Sequence, residues 1–302
     1  EEGQKLVRDL AAEADVVIEN FKVGGLAKYG LDYASLTAVN KGLVYCSITG
    51  FGQTGPYADR AGYDYLVQGM SGLMSITGDP SGEPQKVGVA VTDIYTGLYS
   101  VIAIQAALAA RAETGMGQHI DMSLLDAGTA TLANQAMNFF ATGQSPKRMG
   151  NEHPNIVPYE VFPVADGDII VAAGNDGQYQ RLCQVLGRND LAQDPRFETN
   201  SKRVAMRAEL VPEIKLATRA WAKADILARL EAAKVPASPI NSVGEAMQDP
   251  QILHRRLAAE VDGVEGLRTP IVFGTEPSIA DRTAPKLGEH NDTVAKFGWG
   301  SD

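Results

Sequence analysis

The side chain best placed for covalent chemistry is Asp93. It follows the loop Gly88–Thr92 and opens the long uncharged run Ile94–Ala110. A carboxylate there is expected to cap the free N–H groups of a helical first turn, and the helix dipole favours its charge. A fixed, ionised carboxylate is what a nucleophilic role requires. The same residue in the same place also serves as an ordinary cap, so position alone leaves both roles open. Serine-hydrolase chemistry lacks its Gly-x-Ser-x-Gly turn. The four histidines are His119, His153, His254 and His290, and none pairs with another histidine or a cysteine at metal-ligand spacing, so no metal centre is expected. His119 lies in a short strand and reads as structural. His254 precedes Arg255 and Arg256 and reads as surface. His153 stands in the polar loop Gly150-Asn151-Glu152-His153-Pro154, where a ligand role is open to it.

Two further loops follow strand-like runs. Asn20-Phe21-Lys22 comes after Asp15–Glu19; Phe21 could stack on a flat ring, and Lys22 or Lys28 could meet a phosphate. Gly50-x-Gly52-x-x-Gly55 follows Gly42–Thr49 and has the glycine spacing of a dinucleotide fingerprint. That motif needs a helix starting inside it and an acidic residue about 20 positions on. Pro56 and a polar loop follow instead, so a site loop at the carboxyl end of a parallel strand is the better reading.

These loops must be positioned by alternating elements. Lys5–Ala12 is expected to be helical, Asp15–Glu19 a strand, Ala34–Val39 a helix and Gly42–Thr49 a strand. A short helix near Tyr65–Met74, a long helix from Asp93 to Glu113, a strand at His119–Asp121 and a helix over Ser123–Thr142 complete the first half. Apolar strands without alternation, separated by helices, argue an α/β fold with a doubly wound parallel sheet. A helix leading straight into a buried strand implies an earlier strand, so the natural chain is expected to begin upstream. The stretch Gly143–Pro158 reads as linker or site loop. A hairpin follows, Tyr159–Val164 and Asp168–Ala173 about the turn Asp166–Gly167. Helices are then expected near Gln178–Leu186, Ser201–Trp221 and Lys223–Lys234, followed by a β-rich stretch over Leu257–Phe273 and a loop-like tail. The expected division is a large domain over 1–145, a small α+β domain over 146–255, and a return to the large domain over 256–302.

The chain has 302 residues, 44% hydrophobic and 21% charged, with a net charge of -10. That composition supports a sizeable core and argues against nucleic acid as a partner, which needs a basic patch. Cys46 and Cys183 are expected to be buried, reduced thiols. Ile94–Ala110 is short for a membrane span and carries Thr96, Gly97, Ser100 and Gln105, so a buried core helix is expected and no membrane. No signal peptide is recognised and the expected location is cytoplasmic.

Taken together, the segments Glu19–Tyr33, Ser47–Pro56, Ala61–Gly78, Val89–Ser100, Glu113–Ala127, Gly150–Phe162 and Leu287–His290 resemble class III CoA-transferases, the CaiB/BaiF family, in order and spacing. The resemblance implies that Asp93 is the nucleophile, attacking an acyl-CoA to give an aspartyl anhydride and then an aspartyl–CoA thioester. It implies that Tyr63 and Asp64 line the site, with Gly150 and His153 in a loop that closes over it. Asn20, Phe21 and Lys28 match CoA-contacting positions. Coenzyme A is then a substrate, with no tightly bound cofactor, small carboxylic acids are the acceptors, and the partner is a second copy in an interlocked homodimer. Val23 stands where many members carry Pro, and the Gly150 loop lacks the all-glycine run of formyl-CoA transferases. The likeness therefore points to succinyl-type dicarboxylate esters. The competing activity on this fold is an α-methylacyl-CoA racemase, which uses a histidine where Tyr63 stands; a phenol of pKa about 10 is a poor base at neutral pH. A CoA-binding protein without catalysis is the non-enzymatic alternative.

Overall fold

The computed structural model describes residues 1–299. The chain forms two compact units, Glu1–Gly150 with the C-terminal stretch from Gly288, and Asn151–Leu287. The return to the first unit thus begins at Gly288 rather than at 256, because the β-rich stretch after residue 256 stays with the second unit. Residues 300–302 of the expected return lie outside the described residues.

In the first unit, α1 (Glu2–Glu13) leads into β1 (Val16–Glu19) and, after a 3-10 turn, α2 (Tyr33–Thr37) leads into β2 (Val44–Thr49). Then come α3 (Asp64–Met70), α4 (Leu73–Ile76), α5 (Val91–Thr114), β3 (His119–Ser123), α6 (Leu124–Ala130) and α7 (Ala133–Thr142). The three strands pair in parallel, in the order β1-β2-β3. Parallel neighbours need crossovers; α2 lies in the first and α5 in the second. Central β2 is covered on both faces, which is why its residues do not alternate. Tyr45 packs with Ala11, Leu36 and Leu43 on one side, and Val44 and Cys46 pack with Ile104 and Ala107 of α5 on the other. His119 is exposed but anchored: its Nε2 lies 2.9 Å from Ser47 Oγ and its ring stacks on Tyr33.

Three helices of the first unit differ from expectation. The helix expected over Tyr65–Met74 is divided by Gly72, at φ 94°. The helix expected over Ser123–Thr142 breaks after Ala130, where Ala133 takes φ 45°. The long helix α5 was expected to be a buried core helix, yet only the stripe Thr92, Thr96, Ser100, Ile104 and Ala107 is buried. That stripe is mostly small and polar, and the larger apolar groups point outward, with Leu98 56% and Ile102 63% exposed. By length and composition α5 is able to cross a membrane.

The second unit is built on the antiparallel hairpin β4 (Tyr159–Val164) and β5 (Gly167–Ala172), joined by the short strand β6 (Ala237–Pro239). Helices α8 (Asp176–Val185), α9 (Asn189–Gln193), α10 (Asn200–Ala205), α11 (Arg207–Thr218) and α12 (Lys223–Ala232) supply the rest of its core. Phe162, Ile169, Tyr179, Leu182, Leu210, Ile214, Ile226 and Leu230 are all fully buried there. The single helix expected over Ser201–Trp221 is two, divided at Met206. The unit ends in α13 (Val243–Met247), α14 (Pro250–His254) and the short hairpins β7 (Ala258–Val261) with β8 (Val264–Leu267) and β9 (Val272–Phe273) with β10 (Glu276–Pro277). The C-terminal stretch of the first unit holds α15 (Asn291–Phe297), where the sequence reads as loop. Cys46 and Cys183 are both free and buried.

Candidate active site

The carboxyl ends of the three parallel strands converge on one cavity of about 320 Å³. Asn20 follows β1, Ile48 and Gly50 come from the end of β2, and Leu124 follows β3. That is where ligands bind in open parallel sheets. The amino ends of α3 and α5 meet the same space and bring Tyr63, Asp64, Asp93, Thr96 and Gly97 to it. A second cavity of about 220 Å³ shares Asn20, Ile48, Gly50, Gly62 and Tyr63 with the first and adds Phe21, Lys22, Asp59 and Arg60. The two are lobes of one groove: Asp64 and Asp93 line the inner lobe, and Lys22 and Arg60, with Asp59, line the outer one.

The groove is shaped by a close backbone crossing. A Cβ on Gly50 would lie 2.4 Å from the Gly62 Cα, and one on Gly62 would lie 2.2 Å from the Gly50 Cα. Only glycine fits at both positions. The loop after β2 is pinned as well: Leu125 N–H donates to the Gly50 carbonyl at 3.1 Å, and Gln53 N–H donates to the Asp121 carboxylate at 3.0 and 3.1 Å. No helix starts within Gly50–Gly55, so the loop is a structural wall and lacks the dinucleotide-binding context. Asn20 is held by donation from Nδ2 to the Ile48 carbonyl at 2.7 Å.

Asp93 does not cap its helix. The N-cap of α5 is Ala90, and Asp93 is the third helical residue. The capping carboxylate is Asp64, a residue of another helix. Its Oδ1 accepts from the Thr92 N–H at 2.9 Å and from Thr92 Oγ1–H at 2.7 Å, and its Oδ2 accepts from Gln68 Nε2–H at 2.7 Å. Burial raises the Asp64 pKa, but bonds from the Thr92 hydroxyl, Gln68 and the backbone N–H groups of Thr92 and Asp93 outweigh it and hold the carboxyl below its ordinary value. Asp93 moves the other way. Burial, and then the charge on Asp64, raise it above the ordinary 3.8. The expected dipole-stabilised acid is instead a carboxylate of raised basicity beside a second, fully bonded one.

The other expected residues are distributed unevenly. Tyr63 is 67% exposed and lines both lobes, and Phe21 lines the outer one. Lys28 lines neither lobe and sits over the Tyr29 ring at 4.7 Å, whereas Lys22 and Arg60 do line the outer lobe. Arg60 stacks on Tyr57 at 3.9 Å. Gly150 belongs to the first unit, where its N–H donates to the Gly78 carbonyl at 3.1 Å. His153 belongs to the second, where its N–H donates to the Tyr159 carbonyl at 3.1 Å and its Nδ1 accepts from Asn155 N–H. Both backbone donors are therefore committed within their own units. Thr92, Gln68, Thr96 and Arg60 are functional candidates that sequence reasoning missed. A signal was available for one of them, since Asp64 and Gln68 stand four apart on one helix face. No cluster of metal-binding side chains exists among the described residues.

Comparison with known proteins fits this site. The model of CoA-transferase family III matches residues 1–291. The succinate–glutarate CoA-transferase of Agrobacterium fabrum is 57% identical over 298 residues, 97% of this chain and 74% of that protein. The human succinyl-CoA:glutarate CoA-transferase is 38% identical, covering 97% of this chain and 68% of that one. The crystal structure of a CaiB/BaiF family protein from Brucella suis matches with a TM-score of 0.88 at 58% identity, over 98% of this chain and 78% of that one. A family model spanning nearly the whole chain, named transferases at high identity and a shared fold lead to one conclusion: this chain belongs to CoA-transferase family III, the CaiB/BaiF family, and is a CoA-transferase.

Proposed function

We propose that this enzyme moves coenzyme A from succinyl-CoA, or a related dicarboxylyl-CoA, to a carboxylic acid acceptor, with Asp93 as the nucleophile. The observation that carries the reading is Asp93 at the cavity where the strand ends and two helix starts converge. The names of the Agrobacterium and human relatives support a succinyl donor and a glutarate-like acceptor. In the first step an Asp93 oxygen bonds the thioester carbon, the C–S bond breaks and CoA leaves as thiolate, giving an aspartyl–acyl anhydride. The thiolate then attacks the aspartyl carbonyl; a C–S bond forms, the anhydride C–O bond breaks and the donor acid leaves as carboxylate. The acceptor carboxylate runs both steps in reverse. The net reaction exchanges one thioester for another of similar energy, so no external energy source is needed.

The cations Lys22 and Arg60 of the outer lobe suit the phosphates of coenzyme A, and Phe21 suits its flat base. The oxyanion formed at each step needs preorganised donors. The outward apolar face of α5 is the surface we assign to a second copy in an interlocked homodimer. The racemase reading is disfavoured because a tyrosine, Tyr63, stands where racemases carry their proton-shuttling histidine. In the decisive experiment, full-length protein is incubated with succinyl-CoA and reduced with borohydride. The peptide bearing Asp93 should change in mass. Transfer of CoA with that peptide unchanged would rule out the aspartyl intermediates. Exchange of the α-hydrogen of a 2-methylacyl-CoA without transfer would favour racemisation.

A further inference from the structure

We infer that Asp64 is a positioning residue for Asp93: it closes the amino end of α5 from outside the helix, so that the Asp93 carboxylate carries no capping bond and is presented to the cavity. The inference rests on the reading of Asp93 as nucleophile. A helix start leaves N–H groups without partners, and the side chain that satisfies them is ordinarily local. Ala90 has no side chain for the task. Asp93 is the nearest carboxylate, yet among the described residues its oxygens have no hydrogen-bond donor. Asp64 supplies the bonds to Thr92 instead, and it is itself locked. Gln68, fully buried, donates to Asp64 through Nε2 and accepts from Val87 N–H through Oε1 at 2.9 Å. Thr92 is fully buried too. One chain of bonds therefore ties the loop before α5, the start of α3 and the start of α5.

The chemical consequence follows from the lone pairs. A carboxylate that caps a helix directs its lone pairs at N–H groups and loses basicity. With Asp64 in that role, Asp93 keeps its lone pairs for the acyl carbon. The opposed directions of the two pKa values agree with this division. Tyr63 is the other ionisable group lining the inner lobe, and Lys22, Asp59 and Arg60 line the outer one.

The test compares full-length Asp64→Asn and Thr92→Val with the wild type, reading kcat against pH, KM for succinyl-CoA, the unfolding temperature and borohydride labelling of Asp93. Asp64→Asn keeps the shape and removes the charge. Its kcat should fall roughly 10- to 100-fold with KM little changed, and the acid limb of kcat should move to lower pH. Thr92→Val removes a hydroxyl bond and leaves the charge, so it should lower the unfolding temperature and leave the acid limb at its wild-type position. Labelled wild type together with an unmoved acid limb in Asp64→Asn overturns the inference alone. Absence of label in the wild type overturns the nucleophile, and the inference with it.

Discussion

Two carboxylates in one cavity divide two tasks, one bonded and one free. As the proposed nucleophile, Asp93 would attack in its ionised form, and burial, then the charge on Asp64, hold its pKa above the ordinary 3.8. Activity should therefore fade on the acid side at a higher pH than an ordinary aspartate would give, as a kcat profile against pH would show. Asp93→Asn should remove turnover while isothermal titration still detects CoA binding. The same variant should be more stable than the wild type at neutral pH. The sign follows from linkage: a group whose folded pKa is raised costs stability as pH rises through that value, and asparagine carries no charge to cost anything. Below the ordinary 3.8 that gain should vanish, since both states of the wild type are then protonated. Calorimetry at two pH values checks it; equal or lower melting at neutral pH would contradict a carboxyl raised by burial and by the charge on Asp64.

At the scale of elements, the site depends on how strands and helices end. The strands place Asn20, Gly50 and Leu124 at one edge, and α3 and α5 aim their first turns at it. Gln68 joins those two turns. Gln68→Leu would leave the Val87 N–H and one Asp64 oxygen without partners, at a cost of about 1–3 kcal/mol for each group left buried. Urea unfolding measures that loss directly. Gly62→Ala would force the crossing with Gly50 apart, because the added Cβ would stand 2.2 Å from the Gly50 Cα. The expected result is loss of CoA binding in titration, together with a lower melting temperature.

At the scale of the molecule, α5 shows large apolar side chains outward and small polar ones inward. Water does not favour a contiguous exposed patch of that kind. Light scattering of the full-length protein should give a dimer, and Leu98→Lys with Ile102→Lys should weaken it. A monomeric wild type would remove the assignment of this face to a second copy. Acid stability is also a property of the whole chain. Asp64, Asp190 and Asp194 all lie below their ordinary value, Asp64 through its hydrogen bonds and the others through Arg188 and Arg196. Depressed carboxylates stabilise the fold above the ordinary 3.8, and that contribution is lost as pH falls from there through their folded values. Melting temperatures should thus drop as pH goes below that point.

The alternation of strands and helices, the parallel sheet and the hairpin at Asp166–Gly167 were legible in the sequence, because strand composition and turn chemistry are local properties. So was the failure of Gly50–Gly55 as a nucleotide loop, which follows from Pro56. Breaks within helices were harder to see; Ala133 adopts a left-handed conformation that its residue type does not announce. That α5 would be a buried core helix was read wrongly, because an apolar run does not say how much of it the chain itself covers. Most consequential was the cap. From sequence, Asp93 is the natural partner of its own helix start. Folding brings in Asp64 from 29 positions earlier in the chain to take those bonds. Sequence determined that a carboxylate would stand at the amino end of α5; only the tertiary structure decided that it would stand there unbonded, with raised basicity, because the hydrogen bonds that would have tied it down were satisfied from another helix.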